Sequence, residues 1–362
     1  MMRLRAVGAT TLVTAAALVL AACGPATIVE PNTTVQASAP AVTRAPAPTP
    51  PTDPKPAAVF ALTGLDATAA SAKVLTRPVL SIKIENTADA RPQTNLEFAD
   101  VVFEENVEYG ISRLIALYQS DYPKQVGPIR SMRPMDRNII GQFGGPLIFS
   151  GAQRRFINAA AASGTNLIAQ DVGSYGFFRT NDKPAPHNLH GYLADFQKQA
   201  KGAVAPPTQW AFAYPSSLAS ATVAGKPVTT IDLRFSPYAH PHWKWNESKQ
   251  LWLRYEGSAP HKTASGKQLS ATNIVILYVT VRQTGKTNQG ISVPETLVAG
   301  KKGKGFVATG GKYIPVTWSK ASQYKPFVIR DANGDAAALA PGQTWFELVP
   351  TNGEFATKVT FS

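Results

Sequence analysis

The stretch Phe98-Ala99-Asp100-Val101-Val102-Phe103-Glu104-Glu105-Asn106-Val107-Glu108-Tyr109-Gly110-Ile111-Ser112-Arg113-Leu114-Ile115-Ala116-Leu117-Tyr118 decides the fold. Its first half, Phe98 to Val107, is rich in β-branched and aromatic residues; Ile111 to Tyr118 is a second apolar run after Gly110. Both read as strands, with the segment just before Gly110 also open to a partly helical reading. On a strand Glu104, Asn106 and Glu108 share one face, and Phe103, Glu105 and Val107 the other. The carboxylates of Glu104 and Glu108 are then about 13 Å apart on a strand, or about 6 Å on a helix. Only the shorter spacing suits a retaining glycosidase, and the longer exceeds even the inverting range.

Outward from this core, Val79 to Glu85 (VLSIKIE) alternates apolar and polar, which predicts a half-buried strand. Met132 to Phe143 and Ala152 to Ala162 have helical composition, with Pro146 to Ser150 as a short buried strand between them. Asn188 is placed to cap a helix running through Leu193 to Ala200, ended by Gly202. These alternations predict an α/β domain with a polar pocket over residues 76–215. From Val228 on, the pattern changes. Trp243-Lys244-Trp245 and Trp252-Leu253-Arg254-Tyr255 flank Asn246-Glu247-Ser248-Lys249 as a hairpin would. Asn273 to Arg282 is a long apolar strand, and short strand patterns recur to Phe361, with no clear helix after residue 225. The fold class is therefore α+β, an α/β domain followed by a mostly-β domain over residues 216–362.

The N-terminus reads as an address. Arg3 and Arg5 precede the uncharged apolar run Ala6 to Leu20, too short for a comfortable membrane span. Leu20-Ala21-Ala22-Cys23 resembles a bacterial lipobox, and Cys23 is the single cysteine of 362 residues. A lipoprotein signal peptide is predicted over residues 1–22, with Cys23 as the lipidation site, a diacylglycerol cysteine carrying palmitate-type chains. The simpler alternative is a soluble secretory signal with an incidental cysteine. Two or three acyl chains anchor stably where one does not. Residues 24–60 hold nine of the 29 prolines and almost no charge. A Pro/Ala-rich disordered tether is expected over residues 23–75, with 61–75 open to reading as the edge of the fold.

Charge is divided unevenly. The chain carries +13 formally, of which +10 falls in residues 201–362 and +1 in residues 76–200. Nine of the 13 cations in 76–200 are arginine, against four of 18 in 201–362. Arginine offers a planar fork for carboxylates and phosphates, whereas lysine is a solvated point charge. The second half thus reads as a basic surface and the first as a place of specific arginine pairing, although Lys301, Lys302 and Lys304 read equally well as a solubilising loop. On the outer face of a membrane the fitting polyanions are acidic lipid, anionic wall polymer and peptidoglycan; export makes nucleic acid a poor candidate.

The densest polar set lies in residues 86–133. Asn86, Arg91, Arg113, Arg130 and Arg133, with His187 and Asn188 from a later proline-rich loop, are the candidate ligand-binding residues. Gly127-Pro128-Ile129-Arg130-Ser131-Met132-Arg133-Pro134 delivers two arginines near a predicted helix start, a natural anion site. Glu104, Glu108 and His187 are the catalytic candidates, against the simpler reading that the carboxylates pair with arginines. Ser131 and Ser150 lack a nucleophile-elbow context. His240-Pro241-His242 has the i, i+2 spacing of a strand, and with His187 and His190 it suggests a zinc site; no H-E-x-x-H signature accompanies it, so no metal and no cofactor are expected. The tryptophan hairpin reads as core or a cross-strand ladder, with a sugar platform as the alternative.

Several of these residues resemble a known set. Ile84-Glu85-Asn86, Arg91-Pro92-Gln93, Ala99 through Glu104, Glu108 with Gly110-Ile111-Ser112-Arg113, Gly127 through Ser131 with Arg133, and Ala185-Pro186-His187-Asn188-Leu189 are similar to the YerB-like bacterial lipoproteins. In the second half Val316 through Lys320, and Pro341 through Trp345 with Glu347 and Val349-Pro350, match too. That family is built from two adjoining domains of unknown function, and the resemblance covers about 76–351. Glu85 stands where the family usually has Asp, Tyr109 where it has glycine, Ser112 where it has threonine and His190 where it has tyrosine. Tyr109 would narrow a glycine-lined cleft. The resemblance implies the fold and the address, on the outer face of the bacterial cytoplasmic membrane, and carries no established activity. Three functions follow as expectations: a lipid-anchored binder of an anionic or sugar-like envelope ligand, a hydrolase or transferase on envelope glycans using Glu104 or Glu108, and a scaffold for other envelope proteins.

Overall fold

The Leu80–Glu85 strand alternates as its sequence predicts, yet all six of its residues are buried. Leu80, Ile82 and Ile84 enter one apolar cluster. The polar face is covered as well: Lys83 is fully buried and pairs with Glu105 and Asp136. Alternation alone predicted one solvated face; a helical layer seals that face and supplies Asp136, while Glu105 comes from another strand of the same sheet. The computed structural model describes residues 55–286 and 290–362. The signal segment, Cys23 and the proline-rich run to residue 54 lie outside the described residues.

The main sheet runs, strand by strand, through Val328–Arg330, Lys312–Lys320, Lys301–Thr309, Asn273–Lys286, Thr344–Pro350, Val101–Asn106, Ser112–Tyr118, Leu80–Glu85, Leu147–Phe149 and Leu167–Ala169. The two halves of the sequence meet at its middle, where Val101–Asn106 lies parallel to Thr344–Pro350 in the register Val101↔Thr344 to Glu104↔Glu347. One face of this sheet packs Phe103, Phe346 and Leu117 against the helical segments Asp136–Ile140, Gly141–Phe143 and Arg154–Ala162. The other face packs Val102, Ile276 and Trp345 against a second sheet, which includes Thr230–Leu233, Pro241–Asn246 and Leu251–Glu256.

The tryptophan hairpin is core. Trp243 and Trp252 are fully buried, and Trp243 meets Trp345 edge to face at 5.1 Å, an arrangement that stabilises by about 0.5–1.5 kcal/mol beyond area burial. A sugar platform is therefore not formed there. Lys301, Lys302 and Lys304 are exposed but sit on the Lys301–Thr309 strand, not in a loop. The expected tether ends earlier than residue 75, because Leu62, Thr63 and Ala67 are buried in the folded unit. Asn188 does not cap the Leu193–Gln199 helix; it lies on the edge of the hairpin formed by Phe177–Arg179 and Leu189–Tyr192. Among the described residues no helix is long and apolar enough to cross a membrane.

Candidate functional site

Strand periodicity sorts the polar residues at the end of the central strands into two clusters on opposite faces. Glu105 and Arg113 are cross-strand neighbours, as are Arg113 and Glu85. They share the face of Phe103 and Ile115, and they lead outward into an open depression of about 320 Å³. Its lining includes Glu85, Glu108, Arg113, Arg130, Arg133 and His187.

The loop carrying the two later arginines is fastened to the sheet by its backbone. Glu85 N–H donates to Pro128 O at 2.9 Å, Arg130 N–H to Lys83 O at 2.9 Å, and Ile129 N–H to Leu189 O at 2.6 Å. Asp136, already paired to Lys83, accepts the Arg133 backbone N–H at 2.9 Å. Arg133 Nε and Nη2 each approach Glu108 Oε2 at 2.7 Å. Arg113 Nη1 donates to Ser131 O at 3.0 Å, which turns its fork into the pocket. Glu85 Oε1 lies 3.0 Å from His187 Nδ1 and 3.3 Å from Arg130 Nε. Tyr109, at φ 63°, places an exposed phenol on the rim, in a backbone conformation that glycine adopts more readily. The adjacent Gly110, at φ 69°, must be glycine: a Cβ there would fall 2.5 Å from Phe355.

Three guanidinium groups face two carboxylates here, so the pocket is cationic before a ligand arrives. Burial, reinforced by the nearby charge of Arg133, pulls Arg113 down to about 9, still charged at neutral pH. Arg113 Nε and Glu85 Oε2 are buried and have no protein hydrogen-bond partner. Buried polar groups are rarely left so in a closed core. Their side chains belong to residues that line the depression.

On the opposite face, Glu104 and Glu347 sit side by side in the parallel register, a like-charge pair that would repel if nothing intervened. Arg254, fully buried, intervenes. Its Nη2 donates to Glu104 Oε2 at 2.6 Å and its Nη1 to Glu347 Oε1 at 3.3 Å. Trp243 Nε1 adds a bond to Glu347 Oε1 at 2.9 Å. Arg254 Nε donates to His261 Nδ1, which fixes the neutral ring with its proton on Nε2, donating to Gln93 Oε1 at 2.8 Å. Burial, followed by Arg254 itself, lowers His261 well below its ordinary value. Burial, then the charge of Glu104, raises Glu347 well above its ordinary value. Glu104, Arg254 and Glu347 are fully buried.

The predicted site residues therefore divide. Glu108, Arg113, Arg130, Arg133 and His187 converge on the pocket. Glu104 does not: it is fully buried on the other face, with Oε1 accepting from Ser112 and Asn86. The proposed Glu104/Glu108 pair is thus not one site. Asn86 belongs to the covered side, bonded to Ser112 and Gln93, while half-buried Arg91 faces Glu256 at 3.4 Å and lines a separate depression with His261. Asn188 is occupied by Arg179 and by Thr180 O. His190 bonds Thr94 and does not join His187 in a metal set. Sequence reading missed Glu85 as the pocket's inner carboxylate and missed Arg254 entirely. The signal for Arg254 was present, since Trp252 and Arg254 share a face in an alternating strand whose Trp252 points inward.

Comparison with known proteins gives two family models, one for each half. Residues 62–205 match the N-terminal domain, and 231–346 the C-terminal domain, of a protein of unknown function. The chain is 25% identical over 302 residues, 80% of its length and 85% of the relative's, to the Bacillus subtilis protein named "Putative lipoprotein YerB". The chain belongs to the YerB-like family. The crystal structure of YerB from Bacillus subtilis superposes with a TM-score of 0.70 at 20% identity, covering 84% of this chain and 99% of that one. The family's two-domain fold, α+β, is the fold found here. Within it the two family domains share the central sheet, through the pairing of Val101–Asn106 with Thr344–Pro350.

Proposed function

We propose that the chain is a lipid-anchored cell-envelope protein that captures an anionic ligand in the Arg113/Arg130/Arg133/His187 pocket. The observation that carries this reading is the convergence of the Arg113, Arg130 and Arg133 side chains with His187 on one open depression. Arginine forks bind carboxylates and phosphates with two parallel bonds, and desolvation strengthens them. The family's lipoprotein relative and the Leu20-Ala21-Ala22-Cys23 sequence support the address. The +10 charge of residues 201–362 would favour approach to a polyanionic wall.

Two soluble probes test the pocket: a carboxylate-bearing muropeptide and a glycerol-phosphate oligomer, titrated into the purified protein. One of them binds at a single site, and Arg130→Ala weakens it by about 1.5–3 kcal/mol, the range for a charged hydrogen bond. Failure of both probes, or equal affinity in wild type and variant, contradicts the reading. The address has its own test. Cys23→Ala releases the protein into the medium, and a variant still held at the membrane refutes the anchor.

A further inference from the structure

Beyond the anion pocket, the second sheet brings together residues that no part of the proposed function uses. Asp232 and His242 are directly opposite each other on Thr230–Leu233 and Pro241–Asn246, so their side chains leave the same face. His240 lies two residues before His242 and therefore shares that face. One oxygen of Asp232 and one ring nitrogen from each histidine all lie within 4.8 Å of one another. We infer that Asp232, His240 and His242 form a divalent transition-metal site, taking Zn²⁺ with water in the remaining position.

The chemistry of the donors selects the ion. Two imidazoles and one carboxylate suit zinc and its borderline neighbours, not calcium or magnesium, which prefer all-oxygen shells. Four-coordinate zinc holds such donors about 2.0–2.2 Å away, hence about 3.4 Å from each other. The present spread closes to that by side-chain rotation, since His240 and Asp232 are only half buried. His240 Nε2 already meets Asp232 Oδ1 at 2.7 Å. His242 is held more firmly: it is buried, and its ring stacks on Tyr255 at 4.9 Å and 10°. Its Nδ1 is buried without a protein partner. The His240 backbone N–H donates to Glu256 Oε1 at 2.7 Å, which pins the start of the H-x-H segment. Lys244 opposes a cation, and its ammonium sits over the Tyr255 ring at 4.9 Å.

The test uses the full chain without an affinity tag, purified in detergent and stripped with a chelator. Zn²⁺ is titrated calorimetrically, and Co²⁺ is followed by its visible absorption. One equivalent binds, and Co²⁺ shows the intense bands of low-symmetry, four- or five-coordinate sites. His240→Ala, at a half-exposed position, keeps the near-ultraviolet circular dichroism of the fold and lowers Zn²⁺ affinity at least about tenfold. Asp232→Asn does the same. Wild-type affinity in His240→Ala, or a Co²⁺ spectrum indistinguishable from the aqueous ion, overturns the inference. The measurement is independent of the anion pocket, because neither variant touches it.

Discussion

Two polar clusters grow from neighbouring residues of one strand and end in opposite states. On one face, Glu104 meets Arg254, Glu347, His261 and Gln93 in a network that water does not reach. On the other, the path from Glu105 through Arg113 opens into a depression where arginine outnumbers glutamate. Residue types are the same on both sides. What differs is whether a second sheet covers them. The covered cluster links strands from both halves of the chain, and the uncovered one lines an open depression. Composition therefore marks where charge concentrates, and topology decides whether that charge holds the fold together or meets a ligand.

The largest predicted effect lies on the covered side. Arg254→Met removes the cation between Glu104 and Glu347 and should destabilise the chain by about 3–5 kcal/mol, as breaking a buried pair does. Denaturant midpoints measure it. Arg133→Ala, on the open side, leaves Glu108 largely buried but bordering the depression, and should cost less than Arg254→Met. Equal losses in the two variants would erase the distinction between the faces.

A third buried cation sharpens the contrast. Lys320 is fully buried, has no carboxylate within ion-pair distance among the described residues, and bonds Gln142 Oε1 and the carbonyls of Gln323 and Lys325. Burial lowers it to about 7 from its ordinary 10.5. Arg254 is buried too, but Glu104 and Glu347 more than offset that burial and raise it. The sign for Lys320 follows from proton counting. Between about pH 7 and 10.5 the unfolded chain binds the proton that the folded chain has lost. Stability therefore rises with pH across that window, by at most about 1.4 kcal/mol per unit. Lys320→Met should lack that rise, as read from denaturation at several pH values. A wild-type slope unchanged by the substitution would mean that the lysine stays protonated.

Much of this was legible in the sequence. The strands from Val101 to Tyr118 and the Trp243/Trp252 hairpin are local patterns, and the structure keeps them. Arg130 and Arg133 reach the pocket because a short turn carries both, and Arg113 because strand parity puts it beside Glu85. The faces themselves were not legible. Glu104 and Arg254 are 150 positions apart, and nothing near either residue announces the other. Glu85 stood out in the sequence only as a departure from a family pattern. Its place as the inner wall of the pocket depends on His187, 102 positions later.

Hydrogen–deuterium exchange on the protein with and without its bound anionic probe tests the central claim most directly. Protection is predicted in the segments carrying Glu85 to Thr87, Glu108 to Arg113, Arg130 to Arg133 and His187, with exchange around Arg254 and His261 unchanged. Protection that instead appears around Arg254 to Thr263, with the Arg113 and Arg130 segments unaffected, would contradict it.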